Sequence, residues 1–194
     1  MATRDKIIKH VAKLFASGGV DEVSMRALAK EVEVVPSVLY YYFPTKVSLL
    51  EAMYEESNRV LGSRRAKLLQ PKTASEMLRQ RIIFQLDNAE LIVSVLKFYL
   101  AFRENFPKLA IGYLPDKSYL HIKEVLQYGV TTGEFANEQI DDQSRVIVHA
   151  VNGYLLEYFP HMPKGQDRAR VIEELHRFLL RSIIKPSHSI STNA

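Results

Sequence analysis

Between Ser24 and Lys46 the chain reads Ser-Met-Arg-Ala-Leu-Ala-Lys-Glu-Val-Glu-Val-Val-Pro-Ser-Val-Leu-Tyr-Tyr-Tyr-Phe-Pro-Thr-Lys, which gathers hydroxyls, cations and aromatic rings at helical spacing. Ser24 is placed as an N-cap, and Met25, Leu28, Ala29 and Val32 recur on one face of a short helix. That pattern breaks at Glu33-Val34-Val35, and a second helix opens on Pro36, whose missing N–H costs nothing in a first turn. Two short helices across a three-residue turn read as a helix-turn-helix, which needs a third helix behind it and turns its second helix outward. On that outward helix Pro36, Ser37, Val38 and Tyr41 stand where base edges would be met. A serine hydroxyl can donate or accept there, a valine methyl can touch a thymine methyl, and tyrosine offers a ring and a hydroxyl. The alternative is that these are merely exposed helix residues. Tyr41 has the strongest case, because an aromatic ring on a solvent face is costly without a partner surface. Ser24 and Arg26 stand at the other edge of the groove, and the Ser24 amide can face a phosphate while its hydroxyl caps the helix.

The supporting elements follow from the same periodicity. A first helix is predicted from Thr3 to Ser17, with Ile8, Val11, Ala12 and Phe15 on one face and Gly18-Gly19 stopping it. Tyr42 and Phe43 are expected in the core. Thr45 caps a long helix from Lys46 towards Leu69 that ends before Gln70-Pro71. Further helices are predicted at Ala74–Asp87, Ala89–Asn105, Pro107–Val130 (broken near Gly112–Asp116), Asp142–Tyr158 and Gln166–Ile184, with a disordered tail over 185–194.

The order Leu39-Tyr40-x-Tyr42-Phe43-Pro44-Thr45-Lys46, followed by Leu49-Leu50, resembles the recognition helix and following helix of the TetR family of bacterial transcriptional regulators. Ile7, Ile8, Ala12, Leu14 and Phe15, then Gly18 or Gly19, then Ser24, Arg26 and Leu28-Ala29, agree with it, so the likeness covers roughly residues 4–54. The resemblance implies an all-α protein: a three-helix helix-turn-helix DNA-binding domain over 1–46 and a helical ligand-binding and dimerisation domain over 47–184. It makes Tyr40 and Lys46 phosphate contacts, a role that a phenol donor and an ammonium can both fill. Glu33 stands where the family turn often has Gly, and Val35 where a Ser or Thr cap is common, so the resemblance fixes neither the entry angle of the recognition helix nor an operator sequence.

The remainder of the chain bounds the function. The net charge of +4 permits nucleic-acid binding without demanding it, since Lys and Arg are interleaved with Asp and Glu. There is no cysteine, which removes thiol redox sensing, disulfides and thiolate metal sites and fits a reducing, cytoplasmic setting. No apolar run approaches the length of a membrane span, so no membrane partner is expected. No Gly-rich phosphate loop, nucleophile elbow or H-E-x-x-H is present, and no two of the six histidines are spaced i, i+4. Catalysis, a metal and a cofactor are therefore not expected; an all-helical enzyme with dispersed residues and a helical protein-binding adaptor remain as alternatives.

The resemblance also implies an effector cavity and a dimer seam. Among the aromatic and polar residues near the apolar stripes, Phe84, Phe98, Phe102, Arg103, Tyr113, His121, Tyr128 and Asn152 are candidates for lining a cavity that takes a small, largely apolar molecule. The last two helices carry broad apolar surfaces, and Ile147, Val151, Tyr154, Leu155, Leu175, Phe178 and Leu179 are expected to pair with their copies in a homodimer on a palindromic double-stranded operator, with burial inside the subunit as the alternative.

Overall fold

The computed structural model describes residues 3–68, 73–102, 115–136 and 139–183, with the backbone alone at 115–118. Among these residues every regular element is helical: α1 Thr3–Gly18, α2 Met25–Glu31, α3 Pro36–Tyr42, α4 Lys46–Arg65, α5 Ala74–Asp87, α6 Ala89–Phe102, α7 Pro115–Thr131, α8 Ile140–Tyr158 and α9 Gly165–Arg181. The α4 helix ends at Arg65 and tightens into a 3-10 turn, Ala66–Leu68, a little before the predicted end. Gln139, with φ of 47°, precedes α8 and lets that helix begin two residues earlier than the pattern suggests. The expected ends of α6 beyond Phe102, the residues 107–114 and the tail lie outside the described residues.

The predicted face of α1 is buried: Ile7, Ile8, Val11, Ala12 and Phe15 meet Leu28, Ala29, Leu39, Leu49 and Met53 in a single apolar cluster. Two polar ties fasten α2 to α1. The Lys6 ammonium donates to the Val32 carbonyl at 2.9 Å, and His10 Nε2 lies 2.5 Å from Glu31 Oε2. The apolar cluster continues without a break through Leu61, Leu78, Ile82, Val93, Val125, Leu126, Val151 and Leu155. With 20 residues, α4 spans roughly 30 Å and contributes Leu49, Leu50 and Met53 at its start and Leu61 near its end.

Behind the N-terminal bundle, α5 packs against α7 and α9, and α7 packs along α8. The start of α5 is capped twice: Thr73 accepts from the Glu76 amide, and the Glu134 carboxylate accepts from the amides of Ala74 at 2.9 Å and Ser75 at 3.2 Å. Glu134 reaches α5 because the chain turns sharply after α7. At Gly129 a Cβ would lie 2.1 Å from the Phe135 ring, so the turn closes only on glycine.

Candidate functional site

Ser24 is the N-cap of α2 and accepts from the Ala27 amide at 3.4 Å. The end of α2 is a Schellman motif: the Glu33 amide donates to the Lys30 carbonyl and the Val34 amide to the Ala29 carbonyl, with Glu33 left-handed at φ of 59°. The turn that the sequence places at Glu33 is thus made, at the cost of a Cβ in a conformation that glycine adopts freely. Val35 precedes α3 without a side-chain cap, and Pro36 opens the helix. Leu39 is the residue of α3 that enters the core, so the rest of this short helix faces outward.

Tyr41 is 81% exposed, beside exposed Pro36 and Ser37; Val38 is half-buried, and Tyr40 is also exposed. Phe43 is buried beneath Arg4, whose guanidinium carbon stands 5.7 Å from the ring centre. Tyr42 departs from expectation. It lies at the surface, edge-on to Tyr41 with ring centres 5.3 Å apart, because α3 is too short to bury more than one residue per two turns. At the α3–α4 corner Thr45 and Ser48 cap each other, the Ser48 amide donating to Thr45 Oγ1 at 3.0 Å and the Thr45 amide to Ser48 Oγ at 3.1 Å. This box fixes Lys46 in the first turn of α4. A cation there opposes the helix dipole, whereas an anion would be drawn by both the dipole and the ammonium. Arg26 is exposed and has no ion pair among the described residues. Ser24, Arg26, Pro36, Ser37, Tyr40 and Tyr41 therefore share exposure along the two helices of the motif and its flanks, with Lys46 half-buried at the corner.

Residues 7–53 match the family described as bacterial regulatory proteins, tetR family. The likeness to the tetR family at the level of sequence is confined to this N-terminal segment. Over 58 residues it is 40% identical to the HTH-type transcriptional repressor KstR of Rhodococcus jostii (strain RHA1), a match that takes in 29% of this chain and spans only 27% of that relative's length. The whole fold is also shared. A putative transcriptional regulator from Saccharomonospora viridis, solved in complex with choline, superposes with a TM-score of 0.79 at 20% identity over 94% of this chain and 98% of that one. The ketosteroid transcriptional regulator KstR2 of Mycobacterium tuberculosis superposes with a TM-score of 0.76 at 16% identity over 95% and 96%. Among the described residues, no helix is long and apolar enough to cross a membrane.

The expected effector residues divide. Phe98 stacks on Tyr54 at 4.6 Å and leans on Phe102 at 4.8 Å and Phe15 at 6.4 Å, which places it at the junction of α1, α4 and α6. Phe84 is buried under Arg65, Asn152 is buried and accepts from Gln85 at 3.3 Å, and His121 is half-buried near Glu124. Tyr128, on α7, is 41% exposed. Arg103 and Tyr113 lie outside the described residues. A groove of about 510 Å³ does run between α1, α4 and the α5–α6 corner, but Ile8, Ala12, Ser57, Val60, Arg64 and Asn88 line it, and none of the expected effector residues does.

The expected dimer residues divide as well. Ile147, Val151, Leu155 and Leu179 are buried in the apolar cluster of the subunit itself. Leu175 and Tyr154 are half-buried, and Phe178 is 66% exposed. The open apolar positions of α8 are one residue round from those expected. Val146 is exposed, and Gly153, two turns on, has nothing within 4 Å of where a Cβ would stand.

Two functional candidates were absent from the sequence reading. Lys97 is the lone cation inside the apolar run Leu91–Phe102 and reaches the end of α1. Arg81 interrupts the buried stripe of Leu78 and Ile82. A charged residue within an apolar helical stripe is the signal that marks both.

Proposed function

We propose that the protein is a cytoplasmic, homodimeric transcriptional repressor that binds a palindromic operator, with α3 of each subunit in a major groove, and is released by a small, largely apolar effector. The observation that carries this reading is the outward face of α3, where Ser37, Tyr40 and Tyr41 stand exposed while Leu39 alone anchors the helix. Three tyrosines in sequence at a solvent face give a free protein little stability, whereas hydroxyls and rings are useful against phosphates and base edges. Lys46, held in the first turn of α4, adds a charge where a backbone phosphate of the duplex would pass.

Dimerisation is supported by the exposed large apolar side chains of the last two helices, Val146 and Tyr158 on α8 and Phe178 on α9. An effector can act only through its different affinities for two states, and α4 and α6 both run from the rear helices to the N-terminal bundle. Half-sites on one face of a duplex lie about 34 Å apart, so a displacement of a few ångströms between the two α3 helices would prevent simultaneous engagement.

Fluorescence anisotropy with promoter fragments from the protein's own genome tests the reading. Binding to one fragment that resists competition by scrambled DNA is expected. Equal affinity for all fragments, or none, would leave the adaptor alternative.

A further inference from the structure

Leu39 alone of the seven residues of α3 is buried, so the helix turns the rest of its circumference outward. At about 3.6 residues per turn, Val38, Tyr41 and Tyr42 stand at i, i+3 and i+4 and form one patch, while Tyr40 falls on the other flank. Tyr41 is 81% exposed, and the Tyr42 ring stands edge-on to it with centres 5.3 Å apart. That contact props the more exposed ring and lowers the cost of ordering it against a partner surface. Half-buried Val38 adds its methyl groups beside the pair, and exposed Ser37 lies one turn before Tyr41 on the crest of the helix.

What the helix lacks narrows what it can read. Its sequence, Pro-Ser-Val-Leu-Tyr-Tyr-Tyr, holds no Arg, Lys, Asn, Gln, Asp or Glu. Those are the side chains that grip two groups of one base edge, Arg or Lys on guanine and Asn or Gln on adenine, or that accept from the cytosine amine. The Ser37 and Tyr41 hydroxyls both donate and accept, so a single bond from either discriminates weakly between base pairs. Arg26 stands on α2, the helix that crosses the backbone in this motif, and Lys46 stands on α4. The major-groove feature left for an apolar patch is the thymine C5 methyl.

We propose that α3 reads its half-site through thymine C5 methyl groups packed against the Tyr41 ring and the Val38 methyls, so that thymines at these contacts define the operator. The inference rests on the reading that α3 enters a major groove, and it specifies what is read there. Burying one methyl is worth about as much as burying one methylene, which corresponds to roughly a fourfold change in affinity.

The test begins by selecting half-sites from random duplexes with the full-length protein. The selected operator is then remade with each thymine in turn replaced by deoxyuridine, which keeps the base pair and removes only the C5 methyl, and binding is followed by fluorescence anisotropy. At least one position in each half-site is expected to weaken binding roughly threefold to tenfold when its methyl is lost. Cytosine placed at that position should bind better when it carries a C5 methyl. Tyr41→Ala or Val38→Ala should bind the two forms of the operator alike at that position, whereas Lys46→Ala, weaker on every sequence, should keep the full methyl sensitivity. The proposal is overturned if no deoxyuridine changes the affinity, if the sensitivity survives both Tyr41→Ala and Val38→Ala, or if Lys46→Ala abolishes it as well. Half-sites fixed by guanines with no thymine would overturn it too. A selected operator indifferent to its methyls would leave DNA recognition standing and sink this proposal alone, whereas selection of no sequence at all would strike the underlying reading along with it.

Discussion

Lys97 on α6 donates its ammonium hydrogens to the main-chain carbonyls of Ala16, at 2.7 Å, and Ser17, at 3.0 Å, so a side chain of the rear bundle closes the C-terminal end of α1. The last carbonyls of a helix have no partner within it, and a cation is the charge that the C-terminal end of the dipole favours. Gly19, left-handed at φ of 76°, completes the stop. The α4 helix is therefore joined by α6 in linking the two parts of the chain, and α6 holds the helix against which the helix-turn-helix pair is packed.

Lys97→Met should keep the apolar stem in place and remove the cap. A loss of about 1 kcal/mol in urea denaturation is expected, with faster hydrogen exchange confined to the amides at the end of α1. An unchanged exchange rate at those amides would show that the cap contributes nothing to α1.

Lys46 and Tyr41 should separate positioning from readout. Lys46→Ala is expected to weaken binding to every DNA sequence and to lower the salt slope by about one phosphate contact. It should also stabilise the free protein by a few tenths of a kcal/mol, since the ammonium opposes the dipole at the start of α4. Tyr41→Ala should instead alter preference among operators and leave the slope alone. A change of sequence preference with Lys46→Ala at constant slope would reverse these roles.

The two departures at the helix-turn-helix should each respond to repair. Glu33→Gly relieves the left-handed Cβ, and Val35→Ser supplies α3 with a side-chain cap; each is expected to add about 1 kcal/mol of stability. The exposed Lys6–Glu33 pair at 3.7 Å that the first change removes is worth little against that. A fall in melting temperature for Glu33→Gly would mean that the turn is held by something other than its backbone conformation.

The N-terminal bundle is legible in sequence because its rules are local. Ser24, Pro36 and Thr45 mark helix starts, the turn at Glu33 follows from a broken period, and the buried face of α1 follows from spacing alone. The rear helices obey the same periodicity, but periodicity does not say which neighbour covers a stripe. Ile147, Val151 and Leu155 make a regular apolar row, and that row is spent on the subunit's own core, leaving Val146 and Phe178 outside. Tyr42 fails for a related reason, since a seven-residue helix with Leu39 inside has no second buried face. The role of Lys97 depends on a tertiary partner, and spacing cannot supply one.

Glu134 predicts a pH dependence. Burial raises its carboxyl, but the amides of Ala74 and Ser75 and the Thr132 hydroxyl outweigh that, and the group is held below its ordinary value. A carboxylate depressed in the fold contributes stability that is complete above its unfolded value, about 4.3, and is lost as pH falls through the folded value. Glu134→Gln should therefore cost about 1 kcal/mol near neutrality, with the difference from wild type shrinking as the pH drops below about 4. A difference that stays constant down to pH of about 3 would assign the effect to packing rather than charge.

The dimer surface can be separated from the subunit core by two substitutions on neighbouring helices. Val151 on α8 is fully buried, so Val151→Arg places an unpaired charge inside the subunit; it should unfold the protein, since such a charge costs several kcal/mol. Phe178 on α9 is two-thirds exposed, so Phe178→Asp removes little from the subunit's own packing. If the open face of α8 and α9 pairs with its copy, the second variant should sediment as a folded monomer with native helicity, and operator affinity should fall because one recognition helix reads too few bases alone. Val146→Asp, one residue round α8 from the buried row, should do the same. Retention of the wild-type sedimentation coefficient by both Asp variants would place the dimer contact on another surface, and a wild-type monomer at micromolar concentration would remove the palindromic operator along with it.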